Sequence, residues 1–142
     1  MKPLGMENHI TSWADEAPHL VAVAAGRTPA DMVVRGGKLV NVQTREILNG
    51  WQVAIAHGRF AYVGVDASHC IGPDTQVVEV NGRYMIPGLC DGHMHIESGM
   101  LTPAEFAAAV IPHGTTTMFT DPHEIANVLG MDGVRMMHDE AL

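Results

Sequence analysis

The spacing of apolar and polar residues predicts a helix, then a run of strands, then strands that alternate with helices. Apolar residues at positions 20–24 fall on one side of a helix, and Gly26 is a residue type that commonly ends one. A polar lead precedes this stretch. Residues 1–30 are therefore predicted to form an N-terminal arm and a short helix.

Short apolar runs separated by glycine-containing turns fill residues 31–86. Gly36-Gly37, His57-Gly58 and Asn81-Gly82 each fit the two-residue turn of a β-hairpin. This pattern predicts a small antiparallel β-sandwich domain. The strands that it predicts cover residues 31–35, 38–42, 51–55, 60–63, 77–80 and 83–86.

The pattern changes at Pro87-Gly88 to longer alternating elements. A buried apolar strand is predicted over residues 88–95, and a second, β-branched strand over residues 115–120. A helical pattern follows each strand, which is the order found in parallel α/β folds. Two such units cannot close a barrel and leave open strand edges, so association through these edges is expected.

Local capping signals predict where the helices of this last segment begin. Thr102 is an N-cap residue, Pro103 suits the first helical position, and Glu105 completes a capping box. Pro112 predicts an irregular last turn, because proline removes a backbone donor. Asp132 is predicted to be the N-cap of the final helix.

Composition and charge narrow the classes of partner. The chain has 46% hydrophobic and 17% charged residues, and its formal net charge is −8. A nucleic-acid polymer or an anionic membrane is therefore not expected as a partner. No apolar run of about 18 residues and no secretory signal pattern is found, which favours the cytoplasm. Without a C-x-x-C motif, Cys70 and Cys90 are interpreted as reduced thiols rather than a disulfide.

Two histidines one residue apart end the first predicted strand of the last segment. In a strand, His93 and His95 share a face, so both imidazoles can bind one metal ion. Nine histidines in 142 residues make such a pair common by chance. Its position at a strand end is therefore the stronger observation.

The second predicted strand also ends in residues that can bind metals or transfer protons. Asp121, His123 and Glu124 follow it, and Glu97 follows the histidine pair. Catalytic groups of parallel α/β barrels gather at the carboxyl ends of the strands. His93 and His95 are therefore predicted to be metal ligands, and Glu97, His123 and Glu124 catalytic residues.

Each of these polar residues also has a structural interpretation. Asp91 fits a backbone hydrogen-bond acceptor as well as a residue that orients a metal ligand. Glu97 could cap a loop, Asp121 could cap a helix, and His123 and Glu124 could lie in a solvated loop. The pattern alone leaves these alternatives open, and it identifies no substrate-binding residue.

A family resemblance rests on three stretches of sequence. Asp91-Gly92-His93-Met94-His95 resembles the first barrel strand of the amidohydrolase superfamily. Residues 93–103, 112–117 and especially 121–130 are similar to the adenine deaminase branch of that superfamily. The resemblance covers about residues 30–142. Gly99 departs from it, since a second serine is expected there.

This resemblance implies a fold and an activity. The fold is a small β-sandwich over residues 31–86, followed by the first two βα units of an incomplete TIM-like (β/α)8 barrel over residues 87–142. The implied activity is deamination of adenine to hypoxanthine and ammonia by metal-activated water. The implied cofactor is a divalent metal (manganese, iron or zinc), binuclear in the complete enzyme, and a homo-oligomer is expected. The 142 residues alone are expected to bind metal loosely and to lack activity.

Other functions are compatible with the same residues. A related amidohydrolase acting on a cyclic amide, such as a hydantoinase or dihydroorotase, would use the same histidine pair. A non-catalytic metal-binding module is a further alternative. The zinc nucleoside-deaminase class is excluded, because His95-Ile96-Glu97 has no accompanying P-C-x-x-C motif.

Overall fold

The structure, a computed structural model, describes residues 12–141 and has a mixed α/β fold. The chain forms two compact units that divide between Ile86 and Pro87. The predicted N-terminal arm lies largely outside the described residues. The first unit contains α1 (Trp13–Ala24), β1 (Met32–Arg35), β2 (Lys38–Asn41), β3 (Glu46–Asn49), β4 (Gln52–Ala56), β5 (Arg59–Gly64), a 3-10 turn (Ser68–Cys70), β6 (Gln76–Glu79) and β7 (Tyr84–Met85).

Helix α1 begins earlier than its apolar pattern predicts. The hydroxyl of Ser12 accepts a hydrogen bond from the Asp15 backbone N–H, which caps the first turn. Leu20 and Val23 are buried, as their helical spacing predicts. Gly26 follows the helix with φ at +68°, a conformation in which glycine carries no Cβ penalty, and its predicted role is confirmed.

The strands of the first unit form two mixed sheets. One sheet has the order β5-β4-β1-β6 and the other the order β3-β2-β7. The predicted hairpin of β4 and β5 is confirmed, with His57 and Gly58 at positive φ in its turn. Strand β3 was not predicted, because Glu46–Asn49 has only two apolar residues.

Two of the three predicted hairpins are wrong. The turn at Gly36-Gly37 joins β1 in one sheet to β2 in the other, and the turn at Asn81-Gly82 joins β6 to β7 in the same way. Strand β1 pairs in parallel with β6, and β2 in parallel with β7. The sheets are therefore not purely antiparallel, because the chain changes sheets at both turns.

The two turns at which the chain passes from one sheet to the other, Gly36-Gly37 and Asn81-Gly82, lie against each other. The Gly82 N–H donates to the Gly36 carbonyl at 2.6 Å, and the Lys38 N–H donates to the Arg83 carbonyl at 2.9 Å. A Cβ atom at Gly37 would overlap the side chain of Val80 and lie 2.6 Å from the Arg83 carbonyl oxygen. Glycine at position 37 is thus required by close backbone packing.

The core of the first unit lies where α1 covers the four-stranded sheet. Val23, Val33 and Cys70 have no exposed surface, and small alanines from the strands and loops surround them. The Cys70 thiol donates to the Val23 carbonyl at 3.3 Å. Both cysteines are free, as the sequence predicts.

Cys70 provides a chemical probe of this core. Burial, with a smaller contribution from the Asp66 charge, raises the pKa of its thiol, so the reactive thiolate is disfavoured. We expect a thiol reagent at pH 8 to modify Cys70 at least about tenfold more slowly in the folded protein than in urea. Mass spectrometry of the peptide that contains Cys70 measures both rates. Equal rates would contradict the packing of α1 against the sheet.

The second unit contains the predicted strand–helix–strand–helix order. Its elements are β8 (Leu89–Met94), a 3-10 turn (Ile96–Gly99), α2 (Pro103–Val110), a 3-10 turn (Ile111–His113), β9 (Thr115–Thr120), α3 (His123–Leu129) and α4 (Met131–Glu140). Strands β8 and β9 are parallel. The prediction that the first strand is buried is wrong for this chain, since no residue of β8 is fully buried and Leu89 is half exposed.

The predicted helix signals are mostly present. The Thr102 hydroxyl accepts a hydrogen bond from the Glu105 N–H, and Pro103 occupies the first position of α2. The 3-10 turn at Ile111–His113 is the predicted irregular ending. The prediction for Asp132 is wrong: Gly130 precedes α4, and Asp132 lies within the first turn.

No helix within residues 12–141 is long and apolar enough to cross a membrane.

Candidate metal centre

The histidine pair lies at the carboxyl end of β8. His93 is near the end of the strand and His95 directly follows it, with 2.9 Å between their Nε2 atoms. The pairing with β9 is irregular here, because Asp91 pairs with Met118 and Met94 with Thr120. Gly92 and His93 thus lie opposite a single residue of β9, which is a bulge of the kind that re-aims side chains beside functional sites.

Asp121 is brought to the histidine pair by the parallel pairing of the two strands. It follows β9 directly, at the same edge as the end of β8. Among the described residues, His93, His95 and Asp121 form a group whose ligand atoms all lie within 4.8 Å of one another. The group combines imidazole nitrogens with a carboxylate, a donor set suited to zinc, iron or manganese.

The orientation of His95 suits a metal ligand. Its Nδ1 lies 2.8 Å from the backbone carbonyl oxygen of Asp121, and this carbonyl can only accept a hydrogen bond. This hydrogen bond requires a proton on Nδ1, and the neutral tautomer with that proton presents its Nε2 lone pair for a cation. This contact also ties the end of β8 to the residue that follows β9.

The distance between the two imidazoles fits a shared cation. Two nitrogens that each lie about 2.0–2.1 Å from one ion are about 2.9 Å apart at the right angle of octahedral coordination, and about 3.4 Å apart at the tetrahedral angle usual for zinc. The Nε2 atoms of His93 and His95 are 2.9 Å apart, which matches the octahedral value and is also a hydrogen-bonding distance. The residues present therefore fit a divalent metal by their chemistry and by their spacing.

Asp91 and His123 support the group from either side. Asp91 accepts a hydrogen bond from the His93 backbone N–H at 3.1 Å, which holds the backbone at the bulge. His123 Nδ1 lies 3.2 Å from the Asp121 carboxylate, and its ring stands edge-on to that of His95, with 4.6 Å between centroids. His123 thus lies beside the group but is not one of its three members.

The two glutamates predicted to be catalytic contact each other's loops. Glu97 accepts a hydrogen bond from the Glu124 backbone N–H at 3.2 Å, and the Glu124 carboxylate accepts one from the Ser98 hydroxyl at 2.6 Å. The second carboxylate oxygen of Glu97 is buried and has no hydrogen-bond partner in the structure of residues 12–141. Neither glutamate belongs to the three-residue group.

The sequence missed Ser98. A serine after His-x-His-x-Glu carries no pattern that distinguishes it from an ordinary loop residue. Asp121 was recognised as functional or as a helix cap, and the structure places its carboxylate beside the histidines. The histidines at positions 57, 69 and 138 are exposed, His19 is partly buried, and His9 lies outside the described residues.

Comparison with known proteins finds one matching family. Residues 84–142, which include the three-residue group, match the Amidohydrolase family. The resemblance of the chain to the adenine deaminase branch of this family is confirmed by the relatives described next. The family implies a divalent metal, for which His93, His95 and Asp121 offer a site.

Two similar proteins share the name adenine deaminase. The chain is 80% identical over 131 residues to the adenine deaminase of Ruegeria pomeroyi and 77% identical over 131 residues to adenine deaminase 1 of Jannaschia sp.. Each match covers 92% of this chain and 22% of the relative. The chain thus spans about a fifth of the length of these proteins.

Solved structures show a similar fold. A molinate hydrolase structure superposes with a TM-score of 0.53 at 21% sequence identity. The match covers 75% of this chain and 28% of that protein.

Proposed function

We propose that this chain is part of a metal-dependent hydrolase that converts adenine and water to hypoxanthine and ammonia. The arrangement of His93, His95 and Asp121 at one sheet edge is the observation that carries the metal-dependent part. The substrate rests on the relatives named adenine deaminase, two of which are 80% and 77% identical to this chain.

The fold assignment is part of the same proposal. Residues 87–142 are assigned as the first two βα units of a TIM-like barrel, and the parallel pairing of β8 with β9 around helix α2 supports this. Residues 31–86 are assigned as a β-sandwich-like domain, with two sheets as support. Residues 1–30 are assigned as an arm and helix.

His93 and His95 are proposed to hold the metal through their Nε2 atoms, with Asp121 beside them. A divalent cation bound there would supply Lewis-acid activation of the water that attacks C6 of the purine. Manganese, iron and zinc all suit these donors, and the complete enzyme is proposed to hold two ions. The hydrogen bond from His95 Nδ1 to the Asp121 carbonyl favours the tautomer whose Nε2 lone pair faces a bound cation.

Glu97, His123 and Glu124 are proposed to act on the substrate and its protons. During deamination the leaving amino group must gain a proton, and carboxylates and imidazoles are the usual carriers. The buried second oxygen of Glu97 has no partner among residues 12–141, so it is free to accept a substrate N–H. His123, paired with Asp121, is a second proton carrier at the same edge.

The proposal keeps three further expectations from the sequence. Adenine is the small-molecule partner, the complete protein is a homo-oligomer, and it acts in the cytoplasm. The half-exposed Leu89 of β8 and Phe119 of β9 are apolar surface that a neighbouring element or subunit would cover.

An assay of the complete protein tests the proposal. After removal of metal by a chelator, we expect adenine turnover to fall at least about a hundredfold and to return with manganese, iron or zinc. Ammonia release and conversion of adenine to hypoxanthine are measured together. A ring-opened product from a hydantoin or dihydropyrimidine, without adenine turnover, would instead assign a cyclic-amide hydrolase.

A further inference from the structure

Three hydrogen bonds join the loop after β8 to the loop after β9. His95 Nδ1 donates to the Asp121 carbonyl at 2.8 Å, the Ser98 hydroxyl donates to the Glu124 carboxylate at 2.6 Å, and the Glu124 N–H donates to the Glu97 carboxylate at 3.2 Å. All three lie within four residues of a member of the metal-ligand group. They fix the two loops against each other where the ligands must meet.

The Ser98 contact is the shortest of the three. At 2.6 Å it falls in the range of hydrogen bonds from a hydroxyl to an ionised carboxylate, which are stronger than neutral ones. A tight turn aims Ser98 at Glu124, because the Ser98 N–H donates back to the His95 carbonyl at 3.2 Å. Met100 ends this turn in a left-handed conformation, with φ at +54°.

Glu97 replaces a missing helix cap. Pro122 occupies the N-cap position of α3, and its side chain has no oxygen to accept a backbone N–H. The Glu97 carboxylate, from the other loop, accepts the Glu124 N–H in the first turn. The start of α3, and with it the segment 121–124, is thus held by residues that follow β8.

We propose that Ser98 and Glu97 are positioning residues that hold Asp121 beside His93 and His95 by fixing Glu124. The inference rests on the proposed metal site and adds a role for Ser98, which contributes no ligand. Without the Ser98 hydroxyl, Glu124 loses its side-chain partner and the loop after β9 gains freedom. Asp121 is then less often in place when a cation arrives.

The expected effect is a loss of metal affinity. Removing a group that orients a metal ligand typically weakens binding 10- to 100-fold. Because two of the three hydrogen bonds remain, Ser98→Ala is expected to weaken Co²⁺ binding by about tenfold. Ser98→Thr keeps a hydroxyl and is expected to stay within about threefold of the original protein.

The test is a Co²⁺ titration of the metal-free complete protein, followed by visible absorption. Thr102→Ala is the matched control, because it also removes a hydroxyl from the second unit. That hydroxyl caps α2 by accepting a hydrogen bond from the Glu105 N–H. It should lower the unfolding temperature while leaving Co²⁺ affinity unchanged. His95→Ala identifies the absorption band that belongs to this site.

Each outcome has a separate meaning. A Ser98→Ala protein with the original affinity and absorption band would overturn the positioning role and leave the metal site intact. A starting protein whose Co²⁺ band does not depend on His95 would overturn the proposed site itself. If Ser98→Ala fails to fold, Glu124→Ala removes the same hydrogen bond, and unchanged affinity there overturns the inference equally.

Discussion

Replacing His93 and His95 together with alanine will remove the divalent metal from the complete protein and lower adenine turnover at least about a thousandfold. The two imidazoles supply both nitrogen ligands of the three-residue group. Activation of water by a metal lowers its pKa from about 15.7 toward neutrality, so loss of the ion removes most of the catalysis. Elemental analysis and the ammonia assay measure the two effects.

His138→Ala is the matched control for this prediction. His138 is an exposed histidine of the same unit, and its ring contacts only a neighbouring carboxylate, that of Asp139, at 3.2 Å among the hydrogen bonds described. The control should keep its metal content and turnover. Retention of metal and activity by the double alanine variant would show that the site lies elsewhere in the protein.

Gly37→Ala will destabilise the first unit by about 2–3 kcal/mol. The added methyl group would overlap Val80 and approach the Arg83 carbonyl oxygen, and overpacking against backbone typically costs about 1–3 kcal/mol. The Lys38 N–H to Arg83 carbonyl hydrogen bond beside it would be stretched as well. Native-state hydrogen exchange of residues 32–41 and 76–85 in the complete protein reports this local loss.

Gly50→Ala separates steric overlap from backbone strain. Gly50 has φ at +74°, but a Cβ atom there meets nothing within 4 Å. Its replacement should cost only the left-handed conformation of an alanine, about 1 kcal/mol. If both variants lost the same protection from hydrogen exchange, the close packing at Gly37 would not be the cause of the destabilisation.

Local chemistry made the helix boundaries of the second unit predictable. The N-cap, proline and glutamate at positions 102, 103 and 105 act within one turn, so the signal lies in the local sequence. Asp132 failed as a predicted cap because Gly130, at positive φ, already separates α3 from α4. A glycine two residues earlier therefore decided the boundary.

Strand pairing was less predictable than strand position. Gly36-Gly37 and Asn81-Gly82 have the composition of hairpin turns, but composition does not specify which strands they join. Strand β1 instead pairs with β6, more than 40 residues later, and that choice depends on the packing of the whole unit. Of the three predicted turns, only His57-Gly58 joins strands that are neighbours in the same sheet.

The sequence predicted those residues of the candidate site that lie at the ends of the strands. Parallel strands bring their carboxyl ends together, so residues after β8 and β9 were expected to meet. The bulge at Gly92-His93 and the contacts of Ser98 and Glu97 with Glu124 depend on loop geometry that no residue pattern encodes. Through those contacts, each of the two glutamates predicted to be catalytic also hydrogen-bonds the loop that carries the other.

The two turns at which the chain changes sheets also determine when the first unit can fold during synthesis. Both parallel pairs, β1 with β6 and β2 with β7, need residues 76–85. A nascent chain that ends before residue 76 can form the β4–β5 hairpin but neither complete sheet. The ribosome must therefore release residue 85 from its exit tunnel before this unit is complete. Until then, the unpaired edges of β1 and β2 are open to chaperones and to other nascent chains.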